Sequence, residues 1–232
     1  MILNKKGKPF SWSFSAMNDF DNCPMKYAGA RFFCTSPFIQ TEALIWGNRV
    51  HKAGEFFLKG KNPHDNAALA PVEGYCTAML RSGLRVEAEN EIALDRNFKS
   101  VSWFSKDAWF RIKIDVIMTS FDRKHVKIYD WKTGGKIREN PDQLRLTAAA
   151  LATIRPEIET YEGKFIWTKH QEVVGIAPIQ RSEIAGIWQE FIAKANRMEE
   201  AWRTEIFPMK QNPLCGWCPV YDCLHNTNRK NR

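Results

Sequence analysis

Three cysteines fall within nine residues near the end of the chain, in Cys215-Gly216-Trp217-Cys218-Pro219-Val220-Tyr221-Asp222-Cys223. Beside prolines and away from any regular element, such spacing draws three sulfurs around one small metal centre. A fourth ligand is then needed, and Cys23, Cys34, Cys76 or His225 can supply it. Cys23 suits best, because it precedes Pro24 at a helix start, where its side chain is free of helix packing. Cys34 and Cys76 read as small buried hydrophobes. The fourth ligand would lie 192 positions upstream of the other three. Structural zinc more often pairs two short knuckles, so the asymmetry favours a [4Fe–4S] cluster over zinc. Either centre would tie the N-terminal region to the C-terminal one.

The chain between these ends has 232 residues, 44% apolar and 26% charged, which suits one soluble globular domain. No apolar stretch approaches the ~20 residues of a membrane span. Met1–Phe10 carries lysines without a hydrophobic signal core. The expected location is therefore cytoplasmic (the host cytoplasm if phage-encoded), with no disulfide framework and no membrane partner. The net charge of +8 suggests a polyanionic partner. Much of it sits in two tails, Lys5, Lys6 and Lys8 at one end and Arg229, Lys230 and Arg232 at the other; without them the balance is +2.

Periodicity divides the chain into helices, a mainly antiparallel strand group, a helix, a strand and a closing helix. Ser15 is positioned to cap a short helix, Pro24 to start a second, and Thr41 to open one reaching about Gly60. A further helix is expected after Pro71, with Val72, Tyr75, Cys76 and Met79 on one face. Between Leu84 and Trp131 the period shortens to two. Phe110, Ile112, Ile114 and Val116 alternate with Arg111, Lys113 and Asp115. Asn140-Pro141-Asp142-Gln143 combines an N-cap, a first-turn proline and a capping-box glutamine, and that helix ends near Arg155-Pro156. A strand follows over 164–169. Ile184, Trp188, Phe191, Ala195, Met198 and Trp202 then form a helical stripe. The expected class is mixed α/β, of the α+β kind, with a central sheet.

The stretch Lys127–Gly134 bears the chemistry. Asp130 and Lys132, two apart on a strand, project to one side. A carboxylate there binds a hard divalent cation and an ammonium stands beside the water that the cation polarises. Asp115 closes the polar face of the neighbouring strand. Gly47, His51, Gly54 and Leu58 share a helix face nearly bare but for the imidazole, which suggests a close approach by backbone or ligand. Gln143, one turn into the next helix, can reach back to a phosphate or to Lys132.

Together these residues resemble the RecB-like iron–sulfur branch of the PD-(D/E)xK nuclease superfamily. The resemblance rests on Ser13-Phe14-Ser15, Phe20, Cys23-Pro24 and Tyr27, then Gly47 to His51, Asp115, Asp130 to Lys132, Gln143, and Cys215, Cys218 and Cys223 in that order. It is shared by CRISPR-associated nucleases and phage exonucleases.

The resemblance implies one restriction-endonuclease-like domain over 1–232, a mixed sheet flanked by helices. Its cluster-binding region would be formed by about 11–35 and 207–226, with Cys23, Cys215, Cys218 and Cys223 as ligands. Asp115, Asp130, His51 and the Trp131 carbonyl would hold Mg²⁺ or Mn²⁺, Lys132 would activate the attacking water, and Gln143 would complete the site. The implied activity is that of a DNA exonuclease acting on linear single- or double-stranded DNA and leaving 5′-phosphates. Recombination, repair or phage DNA processing would be its setting, with a recombination or repair protein as partner. The alternatives are a non-catalytic DNA-binding subunit and an endonuclease or CRISPR-adaptation nuclease. Thr147 stands where the family often has a tyrosine. Glu89, with Glu87 and Glu91 competing, matches a glutamate that often precedes the aspartate strand. Trp103 and Trp109 are candidates for stacking on unpaired bases.

Overall fold

The computed structural model describes residues 2–37, 39–137 and 140–227. The C-terminal basic residues Arg229, Lys230 and Arg232 lie outside them. Among the described residues the helices and strands follow the order α1 (Phe14–Asn22), α2 (Pro24–Arg31), α3 (Glu42–Leu58), α4 (Asn66–Arg81), β1 (Arg85–Leu94), β2 (Phe110–Thr119), β3 (His125–Lys132), α5 (Pro141–Ile154), β4 (Thr160–Trp167), β5 (Glu172–Gly175), β6 (Ile179–Gln180) and α6 (Ile184–Thr204). None of these helices is long and apolar enough to cross a membrane.

The strands form one mixed sheet in the order β1-β2-β3-β4-β5, with β6 also paired to β4. Within the strand group expected to be antiparallel, β2 and β3 pair so, whereas β4, the strand beyond α5, runs parallel to β3, from His125↔Thr160 to Lys132↔Trp167. The reason is α5. A helix between two strands returns the chain to the start of the sheet, which sets the second strand parallel to the first. β2 runs antiparallel to β3 from Val116↔Tyr129 to Thr119↔Val126. The short β5 and β6 carry no apolar alternation strong enough to reveal them in the sequence.

Two helix starts differ from expectation. Ser13, not Ser15, caps α1, its Oγ accepting from the Ala16 N–H at 3.3 Å. α4 opens at Asn66, capped by Asp65, and Pro71 lies inside it. The strong cap six residues upstream outweighs the hydrogen bond that proline removes. Thr41 and Asn140 cap α3 and α5 as their sequences suggest.

The chain forms two compact units. One comprises 40–92 and 112–188, the other 1–39, 93–111 and 189–232. In the first, α3 and α4 pack on the sheet through Val50, Ala53, Val72, Cys76, Val116, Trp131 and Ile166. Burial pushes the Cys76 thiol up to about 12, as suits a core residue. In the second, Tyr27, Phe32 and Trp202 are fully or nearly buried, with the Trp202 Nε1–H donating to the Tyr27 hydroxyl at 3.0 Å. Trp109 belongs to this core too, edge-on to Trp12 at 5.3 Å, so it offers no stacking surface; Trp103 is half-buried. Cys34 is half-exposed rather than buried, on a positive φ of 56°.

Candidate active site

The candidate residues of the first unit converge where the β2–β3 ladder opens. The last pair toward that end is Val116↔Tyr129. One step further, the Asp115 carboxylate takes the place of a backbone partner, its Oδ2 accepting from the Trp131 N–H at 2.8 Å. Within a strand the N–H and C=O of one residue lie on the same edge. The Trp131 carbonyl therefore faces the gap that Asp115 enters. Lys132, one residue on, turns its carbonyl to the other edge, where the Thr168 N–H meets it at 2.9 Å.

His51 reaches the same gap from α3, its Nδ1 3.0 Å from Asp115 Oδ1. The bare face of α3 allows this. A Cβ added at Gly47 would stand 3.0 Å from Thr133 Oγ1, and one at Gly54 would stand 3.5 Å from the Trp131 indole nitrogen. The close approach suggested by those glycines is thus to the end of β3.

Glu89 completes the group. Its Oε1 lies 4.0 Å from His51 Nδ1, and its Oε2 pairs with Lys113. The competitors are occupied or remote: Glu87 makes a bidentate pair with Arg155 at 2.8 Å, and Glu91 is exposed. Glu89 sits at φ 54° inside β1. A non-glycine residue held there costs on the order of 1–3 kcal/mol, a strain that clusters at functional sites. Donor atoms of His51, Glu89 and Asp115 all lie within 4.8 Å of one another. Two carboxylates and an imidazole at that spacing fit a divalent cation.

Beside them, Asp130 and Lys132 form a closed circuit with Gln143. Lys132 Nζ is 2.7 Å from Asp130 Oδ2 and donates to Gln143 Oε1 at 2.8 Å, while Gln143 Nε2 donates to Asp130 Oδ1. Gln143 thus serves the Asp130–Lys132 pair rather than the N-cap of its own helix. Thr147, 5% exposed, donates to the Gln143 carbonyl at 2.8 Å and presents no ring to the site.

The negative charge is concentrated enough to shift these groups. Burial, reinforced by Asp115, raises Asp130 to about 6 against the pull of Lys132. Burial also raises Glu89, with Lys113 opposing. For His51, burial disfavours the cation. The hydrogen bond to Asp115 and the charges of Asp115, Asp130 and Glu89 outweigh it, and its pKa rises. A site that holds its protons this way is short of positive charge.

Lys113 and Thr168 are the members that the sequence reading missed. Lys113 and Asp115 repeat on β2 the two-residue spacing of Asp130 and Lys132, which is the available signal. Thr168 has none, because it is placed by the β3–β4 register.

In the second unit Cys23 and Cys223 are buried and Cys215 and Cys218 half-buried, all four as free thiols. Burial raises the Cys218 thiol, the Val220 backbone and Lys26 opposing it. A Cβ at Gly29 would stand 2.8 Å from a Val220 methyl. Only glycine lets α2 approach the cysteine segment so closely.

No functionally curated protein shows significant sequence similarity to the chain. A solved structure of a candidate exonuclease from Eubacterium rectale aligns with a TM-score of 0.55 and 12% identity, over 96% of this chain and 88% of that one, a likeness of fold. The structure of SSO0001 aligns at a TM-score of 0.40 and 13% identity, over 92% and 85% of the two chains. The sequence profile of the PD-(D/E)XK nuclease superfamily matches residues 11–223. Profile, mixed sheet and acidic site agree, and the chain belongs to the PD-(D/E)XK nuclease superfamily.

Proposed function

We propose that this protein is a divalent-metal-dependent DNA exonuclease, acting on linear DNA in recombination, repair or phage DNA processing. The observation that carries the reading is the convergence of His51, Glu89 and Asp115 beside the Asp130–Lys132 pair. His51, Glu89, Asp115, Asp130 and the Trp131 carbonyl would hold Mg²⁺ or Mn²⁺. When bound, such an ion polarises the scissile phosphate and lowers the pKa of the attacking water. Lys132 carries the complementary task. With Gln143 fixing its ammonium, it orients the nucleophile and stabilises charge growing on the phosphate in the transition state. The Trp131 N–H and His51 hold the Asp115 carboxylate in one orientation, so little reorganisation is needed.

The reading extends to the RecB-like iron–sulfur branch, with Cys23, Cys215, Cys218 and Cys223 holding a [4Fe–4S] cluster. Tetrahedral zinc, with Zn–S of ~2.3 Å, draws its sulfurs to about 3.8 Å of one another. Among the described residues the cysteines form no group within 4.8 Å. Three ligands clustered in one segment and a fourth far upstream favour the cluster over the paired knuckles of structural zinc. The cluster would be structural, joining α2 to the C-terminal segment.

The test incubates end-labelled linear DNA and a closed circle with Mg²⁺ or Mn²⁺. Loss of the linear strand while circles survive is the expected result. Cut circles would make the protein an endonuclease, and intact DNA in both arms would make it a non-catalytic subunit.

A further inference from the structure

We propose that Lys169, held over the glycine turn beyond Lys132, and Lys136, which follows that turn in the chain, form a cationic shelf that grips a backbone phosphate of the DNA strand next to the one being cut. The inference rests on the nuclease reading and adds a binding subsite to it.

The parallel register sets up the shelf. Because β3 and β4 end together at Lys132↔Trp167, the loops that follow them leave the sheet on the same side as the candidate site. They are tied at their base, where the Thr168 N–H and hydroxyl both donate to the Lys132 carbonyl, at 2.9 and 3.3 Å. They are tied again at their tips, where His170 Nε2 donates to the Gly135 carbonyl at 3.2 Å. Gln171, at φ 53°, closes the second turn by donating to the Thr168 carbonyl at 2.6 Å and to the Pro71 carbonyl at 3.1 Å. A Cβ placed on Gly135 would stand 3.6 Å from Lys169 Nζ, so the ammonium lies directly over a stretch of backbone without side chains.

Most other lysines of this unit face an acid, Lys61 excepted. Elsewhere in this unit Lys52 and Lys59 share Glu55, Lys113 faces Glu89, Lys124 faces Glu159 and Lys132 faces Asp130. Lys136 and Lys169 are exposed and have no acid partner among the described residues. Two exposed lysines on a pinned double turn, beside glycines that let a ligand approach the backbone, suit a phosphodiester. Sequence readout is not expected of them. Phosphate contacts position the strand, and they release counterions when it binds.

The experiment measures binding of a labelled oligonucleotide by fluorescence anisotropy over a range of salt, with Mg²⁺ present, in an Asp130→Asn parent that leaves the strand uncut. Adding Lys136→Gln and Lys169→Gln should weaken binding on the order of tenfold and flatten the slope of log affinity against log salt by about 1 to 2. Lys61→Gln, the same charge change at another exposed lysine, should leave the slope unchanged. The shelf is overturned if the double variant keeps the parent's affinity and slope. A parent that binds with this dependence while the unsubstituted protein cuts nothing would defeat the nuclease reading and leave the shelf standing. A parent that binds no DNA would defeat both.

Discussion

The backbone N–H of Trp131 donates to the Asp115 carboxylate at 2.8 Å, where the β2–β3 ladder has ended and a strand partner would otherwise sit. One oxygen of Asp115 is thereby fixed by the sheet and the other is left to His51. Asp115→Asn keeps an oxygen for the Trp131 N–H and removes the charge. Thermal stability should stay within about 1 kcal/mol of wild type. Cleavage of linear DNA should fall by more than about a hundredfold, and calorimetric Mn²⁺ affinity with it. Retained cleavage would remove Asp115 from the site.

Gln143 acts on the two groups that it bridges. Gln143→Ala leaves Lys132 tethered only by Asp130 and should slow cleavage about 10–100-fold. Gln143→Glu restores an acceptor for Lys132 but sets a carboxylate against Asp130, so it should rescue poorly. Single-turnover rates at saturating DNA decide the matter. Equal rates in all three proteins would reduce Gln143 to a helix-cap residue.

Burial raises Asp130 to about 6, and Asp115 chiefly lifts His51 against its own burial. For Asp130 the unfolded carboxyl ionises first, so the ion-free protein loses stability as pH rises from about 4 through 6. His51 has the same sign, its contribution being present at low pH and lost as pH rises through its raised value. A divalent ion needs both groups deprotonated. The gap in melting temperature between Mg²⁺-loaded and chelator-treated protein should therefore widen from pH 5 to pH 8. A gap that does not change with pH would contradict this account.

Gly163 connects packing to the site. A Cβ there would meet the Leu144 Cβ at 2.9 Å and the Ile176 Cδ1 at 3.2 Å. The Leu144 Cβ is too close to the backbone of α5 to swing aside, so the helix itself must shift. Gly163→Ala should cost about 1–3 kcal/mol of stability by denaturant titration. It should also slow cleavage, because Gln143 adjoins Leu144. A destabilised variant with full activity would separate the two.

Anaerobic purification should yield brown protein containing iron and acid-labile sulfide, and Cys218→Ser should lose both together with several degrees of melting temperature. Colourless protein containing zinc would replace the cluster with a zinc site.

The site's linear neighbours were legible because they follow local rules. Asp130 and Lys132 share a strand face, Asn140 and Pro141 mark the start of α5, and the glycines of α3 mark a close approach. Glu89 was legible as one of three candidates. What singles it out is a left-handed residue in a strand and a long-range ion pair, and neither has a local signature. Thr168 and the shelf lysines depend on a parallel register that is decided only when α5 packs. Ser15 and Pro71 misled because each is a plausible helix start with a stronger cap a few residues upstream.

The residues that meet at the gap arrive from α3, β1, β2 and β3, with Gln143 following on α5. No two of these segments can assemble the centre by themselves. A ribosome must therefore release the chain past residue 143, and the sheet must close, before any cutting machinery exists. The nascent polypeptide is unarmed by construction, and the appearance of nuclease activity would report that this unit has finished folding.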